Sequence, residues 1–204
     1  METLHVINLD TENKIDKYAS ADMKKLIIRN REERILSIIR QSKKYFFAIK
    51  VWEGVTEDEV FPCRNISQAF KKIVQYAKEE RLPFVRIAED DMVLTSKKSW
   101  QYYIDNTPDD YDLYLGGIYA GRLNGNRILD QYSGHTLITV HERFYDFFLS
   151  AEENFQIDNW LGRFSSEKKY IVTLPFVVKQ MTGYSENKKL IPDYSMHEAA
   201  WSYL

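Results

Sequence analysis

Apolar and polar positions alternate from Leu4 to Leu9, and the run closes on Asn8 and Asp10, which predicts a short buried strand with polar groups at its carboxyl end. From Lys14 to Arg34 charge dominates. Residues 22–34 are read either as a helix or as a loop, with Lys24, Lys25, Arg29, Arg31 and Arg34 on a solvated face. Helical spacing resumes at Glu33 with Ile35, Ile38 and Ile39, and the aromatic and β-branched stretch from Tyr45 to Trp52 predicts a strand closed by Glu53 and Gly54. The clearest helix covers residues 66–80, because Ile66, Ala69, Phe70, Ile73, Val74 and Ala77 fall on one face and Asn65 or Ser67 can cap it. After Pro83, residues 84–88 predict a buried strand that runs straight into Glu89, Asp90 and Asp91 and then the apolar Met92, Val93 and Leu94.

Beyond the acids the pattern predicts a short helix over 97–105, a strand over 111–115, and a turn or close backbone approach at Gly116 and Gly117. A strand over 136–140 follows. Phe144, Phe147 and Phe148 then recur at helical spacing within 142–150, and a further helix over 157–163 has Asp158 near its start. Residues 170–174 read as a strand ended by Pro175, residues 176–179 stay extended, and the loop-like remainder makes 180–204 a lid or a tail. Strands alternating with helices, without repeats or a low-complexity linker, predict a single three-layer, Rossmann-like α/β domain over 1–204 with a mainly parallel sheet. In such sheets ligands bind outside the carboxyl ends of the strands.

Composition narrows the options. The chain has 204 residues, 44% hydrophobic and 28% charged, which is enough for one globular core. A net charge of −2, with Lys and Arg spread among Asp and Glu, gives no electrostatic reason to bind nucleic acid. Cys63 is the only cysteine, so an intrachain disulfide and a multi-cysteine zinc site are both excluded. No stretch approaches the roughly 18 apolar residues of a membrane span, and the first residues lack a basic start followed by an apolar run, so a cytoplasmic protein is expected.

Three consecutive acids at the end of a buried strand raise one another's pKa unless a cation or hydrogen-bond donors compensate, and a divalent ion is the simplest compensation. In extended backbone Glu89 and Asp91 share a face and Asp90 takes the other. The alternative is a solvated turn with an N-capping aspartate. Asp158, near the start of its predicted helix, reads as an N-cap, and Trp160 follows it on the same helix. His135, His141 and His197 read as structural or surface residues, with a late metal-ligand role open to His197 alone, in the tail. Lys179, Gln180 and Ser185 either meet phosphate and sugar hydroxyls or lie on a surface loop.

The order of Arg64-Asn65-Ile66-Ser67-Gln68-Ala69 and then Pro83 through the acids to Leu94 resembles the central block of the GT-A glycosyltransferases, and most resembles glycosyltransferase family 25, the lipooligosaccharide type. Residues 6–10, 133–138 and 179–187 are similar to that family's opening strand, later strand and C-terminal block. The polar stretch 11–34 departs from it, since a family member would pass directly into a nucleotide-contacting helix. The resemblance implies a metal-dependent transferase that moves a sugar from a nucleotide-sugar donor, a uridine diphosphate sugar, to a glycan or lipid-linked acceptor in bacterial surface-glycan synthesis, with peripheral contact at the inner membrane. It implies Mn²⁺ or Mg²⁺ held by Asp91 and Glu89, with His197 as a late ligand. Asn8, Asp10, Asn65, Glu89 and Asp90 then contact the donor, Asp158 takes the acceptor proton unless it is only an N-cap, and Trp160 stacks on the acceptor sugar. Two other readings stay open at this point: a non-catalytic nucleotide-sugar or glycan-binding protein of the same fold, and a metal-dependent phosphoryl-transfer enzyme.

Overall fold

The computed structural model describes residues 3–9, 15, 19–55, 62–125, 127–185 and 202–204. In chain order its elements are β1 (Thr3–Asn8), α1 (Ala21–Tyr45), β2 (Ala48–Glu53), α2 (Pro62–Glu79), β3 (Phe84–Glu89), β4 (Met92–Leu94), α3 (Ser99–Asp105) and β5 (Leu113–Leu115). The second half adds β6 (Ala120–Leu123), β7 (Leu129–Ser133), β8 (Leu137–His141), a 3₁₀ turn (Glu142–Phe144), α4 (Tyr145–Leu149), α5 (Ile157–Gly162), β9 (Tyr170–Val172) and β10 (Val178–Gln180).

Six strands form the central sheet in the order β2-β1-β3-β8-β5-β9. β1 pairs in parallel with β2 and β3, β5 pairs in parallel with β9, and β8 alone runs antiparallel between β3 and β5. The mainly parallel α/β sheet expected from the sequence is therefore present. The chain leaves β1 for β2 on one side and returns to β3 on the other, which opens a crevice at the carboxyl ends of β1 and β3.

Side chains that alternate along each strand divide the interior into two apolar layers. Val85, Ile87, Leu113, Leu115, Ile138 and Val140 pack with Phe70 and Ile73 of α2, Phe148 of α4 and Leu161 of α5. Leu4, Val6, Ala88, Tyr114 and Leu137 pack on the other face with Ile38 of α1 and with Trp100 and Tyr103 of α3. Helices on both faces of one sheet make the three layers.

Four local readings change. α1 is one 25-residue helix, capped at its start by Ser20, whose hydroxyl accepts from the Met23 N–H; its buried face alternates Ile27 and Ile38 with Arg31 and Gln41, so apolar periodicity alone does not reveal it. The strand expected from Tyr45 begins instead at Ala48, because Phe46 takes the left-handed conformation (φ 60°) that ends α1. α2 starts at Pro62, four residues before its apolar stripe, so Asn65 is inside its first turn and is not its cap. Finally, β6 and β7 form a separate antiparallel hairpin that has no apolar alternation to announce it, and β4 pairs only with β10. No helix among the described residues is long and apolar enough to cross a membrane.

Candidate functional site

The three acids stand where the crevice opens. Glu89 is the last residue of β3 and lies beside Ile7 of β1, while Asp90 and Asp91 turn the chain into β4. Asp90 and Asp91 are only 7% and 6% exposed. The turn is tied on every side. The Leu9 N–H donates to Asp90, the Gln180 amide donates to Asp91 and lies 3.5 Å from Glu89 Oε2, and the Met181 N–H donates to the Asp91 carbonyl at 2.7 Å.

One cation from outside the turn joins them. Arg34 of α1, its side chain 12% exposed, places Nη1 3.3 Å from Asp90 Oδ1 and Nη2 3.8 Å from Asp91 Oδ2. Arg34 Nη2 also donates to the Tyr184 carbonyl at 3.0 Å, and Asn30 Nδ2 donates to the same oxygen at 3.2 Å. The solvated basic face expected on α1 is thus corrected at two positions, since Arg31 is buried and Arg34 turns inward. Nothing local predicts this; Arg34 is separated from its partner Asp90 by 56 residues of chain.

Burial dominates the electrostatics. It pushes Asp90 up to about 7 against the opposing pull of Arg34, and it raises Asp91 as well. Glu89 rises well above the usual carboxylate range, first through burial and then through repulsion from Asp91, Asp158 and Asp90. Two buried acceptors at this turn, Asp91 Oδ1 and Asn8 Oδ1, have no hydrogen-bond partner among the described residues. A buried acceptor without a donor costs on the order of 1–3 kcal/mol, which a cation or a ligand N–H or O–H recovers.

The remaining predicted residues fall in separate places. Asp158 stands at the start of α5, near enough to Glu89 to repel it. Its Oδ2 accepts from the Gly134 N–H at 2.6 Å and its Oδ1 from the Asn159 N–H at 2.8 Å, so it fastens α5 to the turn before β8. Gly134 (φ 106°) belongs there because a Cβ would meet the Tyr119 backbone nitrogen at 2.6 Å. Asn65 lies beside Arg64, whose guanidinium donates to Asn154 Oδ1, and near Ser67, whose hydroxyl donates to the Phe155 carbonyl. This end of α2 holds the loop that leads to Asp158. Asp10 and His197 lie outside the described residues.

Two aromatic readings resolve as packing. Trp160, read as a platform for an acceptor sugar, is buried against Phe147 and Phe164. His135 is enclosed by Phe70 and Phe148, with Nε2 2.9 Å from the Tyr132 hydroxyl, and burial lowers its pKa to about 4. His141 accepts from the Arg143 N–H at the 3₁₀ turn.

The fit to a divalent ion can be judged from the donors. Glu89, Asp90, Asp91 and Asn8 offer only hard oxygens, the set that suits Mn²⁺ or Mg²⁺. Among the described residues no three His, Cys, Asp or Glu side chains are grouped so that they could hold a metal ion. An ion held by one or two carboxylates and completed by substrate phosphates needs no such group.

No family model and no curated protein matches this chain. Its fold is similar to that of solved structures. A candidate glucose-1-phosphate thymidylyltransferase from Bacillus anthracis, solved with sucrose, aligns over 98% of this chain and 95% of its own at 8% identity and a TM-score of 0.54. A candidate nucleotide-diphospho-sugar transferase from Desulfovibrio desulfuricans G20 aligns over 84% and 79% at 11% identity and a TM-score of 0.53. A mutant Drosophila β1,4-galactosyltransferase 7, solved with manganese, UDP-Gal and xylobiose, aligns over 97% and 79% at 7% identity and a TM-score of 0.50. The chain therefore has the fold of nucleotidyl- and glycosyltransferases that handle nucleotide sugars.

Proposed function

We propose that this chain is a glycosyltransferase, a single domain in which a nucleotide-sugar donor lies across the carboxyl ends of β1 and β3 and Asp158 faces the acceptor. The observation that supports it most is the buried acidic turn at the crevice of this fold, with Asp91 Oδ1 and Asn8 Oδ1 without donors among the described residues. Uncompensated acceptors in a buried site are costly to maintain, and they are the groups that a cation-bound diphosphate and a nucleoside N–H or hydroxyl would satisfy.

Asp91 and Glu89 would hold Mn²⁺ or Mg²⁺, with His197 as a further ligand. Such an ion, when bound, supplies positive charge against the departing diphosphate. Asn8, Asp10 and Asp90 would contact ribose and base, and Asn65 the donor from the α2 side. In the transfer itself the bond between the anomeric carbon and the diphosphate oxygen breaks, a bond to the acceptor oxygen forms, and the acceptor proton passes to Asp158. The two backbone N–H groups on Asp158 fix its direction while each oxygen keeps acceptor capacity. A UDP-sugar donor, a glycan or lipid-linked acceptor at the cytoplasmic face of a bacterial inner membrane, and membership of family 25 follow from the sequence resemblance and belong to the proposal.

The test is thermal unfolding with a panel of nucleotide sugars, with and without Mn²⁺, followed by assay of released nucleotide. A ligand that binds only the native state raises the melting temperature. Asp91→Asn is expected to remove the Mn²⁺-dependent shift while leaving the unliganded domain folded. Asp158→Asn is expected to keep the shift and lower nucleotide release at least 100-fold, the lower range of general-base contributions. No stabilisation by any donor, or equal loss of both properties in both variants, would refute these roles.

A further inference from the structure

Arg34 is the feature that neither the sequence resemblance nor the folds of similar structures assign. It comes from a different layer, reaches the acidic turn through a largely buried path, and spans both consecutive aspartates, at 3.3 Å from Asp90 Oδ1 and 3.8 Å from Asp91 Oδ2. Its second task, with Asn30, is to hold the Tyr184 carbonyl. That segment packs tightly on α1, because a Cβ on Gly183 would collide with the Asn30 amide.

We infer that Arg34 is a resident counter-cation for the acidic turn, which holds Asp90 and Asp91 together when no divalent ion is bound and thereby weakens the site's affinity for the free ion. The inference rests on the reading of the turn as a cation site.

The physical argument has two parts. First, adjacent carboxylates in a buried turn repel one another unless positive charge lies between them, and Arg34 pairs with both Asp90 and Asp91. Second, that charge stays close when a divalent ion arrives at Asp91. A divalent ion and a guanidinium about 5 Å apart repel, even at the dielectric constant of water, by an amount worth about tenfold in binding, a lower bound for a buried turn. Arg34 pairs with Asp91 Oδ2, whereas Asp91 Oδ1 has no hydrogen-bond partner among the described residues and is the oxygen an ion would approach without breaking the clamp. The free ion is then held weakly, and the negative charge of a diphosphate bound with it offsets the repulsion. Arg34 is a positioning residue in this scheme.

The test uses Mn²⁺ alone, titrated calorimetrically into the whole protein and into Arg34→Met, with thermal unfolding of both in chelator and in saturating Mn²⁺. Arg34→Met is expected to bind Mn²⁺ about tenfold more tightly than the parent, to unfold at lower temperature in chelator, and to recover most of that loss in Mn²⁺. A variant with unchanged or weaker Mn²⁺ affinity, whose lower melting temperature Mn²⁺ does not restore, would show that Arg34 only packs α1 on the turn; this overturns the inference and leaves the cation site standing. Mn²⁺ binding in neither protein would overturn the cation site and the inference together. Should Arg34→Met fail to fold, Arg34→Gln serves: its amide keeps a hydrogen-bond donor but carries no charge, so a gain of about tenfold is again expected, and none would refute the inference.

Discussion

At the scale of single residues, the sequence marks chemistry well when it is contiguous and poorly when it is assembled from distant segments. Glu89, Asp90 and Asp91 are visible because three acids close an apolar strand, and the fold buries Asp90 and Asp91 and half-buries Glu89 where β3 ends. Arg34 is invisible by the same logic, since its local neighbours are charged and its partners come from the turn after β3 and from Tyr184. His135 gives a residue-scale prediction of its own. It is 3% exposed, faces the Tyr132 hydroxyl and the Asp158 carboxylate, and keeps its neutral form down to about 4, with burial as the cause. In the unfolded chain it takes a proton near 6.5, so as pH falls below 6.5 the unfolded state binds protons first and stability is lost until the folded pKa is reached. Urea unfolding of the parent and of His135→Gln between pH 7.5 and 4.5 is expected to show the parent losing up to about 1.4 kcal/mol per pH unit more than the variant. Parallel profiles would mean that His135 is solvated in the folded state.

At the scale of elements, α2 was legible from its apolar stripe and β3 from its apolar run, because both bury most of what they carry. α1 was legible only in part: it buries Arg31 and Gln41 as well as Ile27 and Ile38, which a hydrophobic pattern does not register. Gln41 explains why α1 matters to the site. Its Nε2 donates to the Met92 carbonyl at 2.9 Å and its Oε1 accepts from the Leu94 N–H at 2.7 Å, so it pairs the edge of β4 that no strand covers. Gln41→Leu leaves both backbone groups buried and unpaired and is expected to cost roughly 2–4 kcal/mol in denaturant unfolding. A loss under about 0.5 kcal/mol would mean that water replaces the amide, which is the size of an ordinary surface change. The end of α1 predicts a change of opposite sign. Phe46 is 82% exposed and sits at φ 60°, a conformation that costs a side chain roughly 1–2 kcal/mol and glycine little. Phe46→Gly is therefore expected to raise stability by roughly 1 kcal/mol, readable as a higher urea midpoint with an unchanged slope.

At the scale of the whole molecule, one fold serves two chemistries. Proteins of this architecture include one named for thymidylyl transfer and one bound to UDP-Gal, so the sheet order alone does not choose between attack at a phosphorus and attack at a sugar carbon. The choice lies in what the chain places at the end of β1. Transfer of a nucleotidyl group requires a triphosphate to be cradled while pyrophosphate leaves, and backbone N–H groups in a glycine-rich turn are the usual means. This chain has no glycine before Gly54, so the connection from β1 to α1 contains none. The acidic turn beyond β3 suits the proposed case, in which an intact diphosphate departs with its cation and Asp158, in the first turn of α5, is proposed to take the acceptor proton. With Mn²⁺ present, nucleoside triphosphates and hexose 1-phosphates are expected to yield no pyrophosphate above the enzyme-free rate, whereas a cognate nucleotide sugar alone yields slow release of the nucleoside diphosphate by hydrolysis. Addition of the acceptor should accelerate that release, and Asp158→Asn should abolish the acceleration while leaving the donor's thermal shift in place. Pyrophosphate formed from any triphosphate in proportion to enzyme would reverse the assignment, and would move the reacting centre from the sugar carbon to the α-phosphorus without altering a strand of the fold.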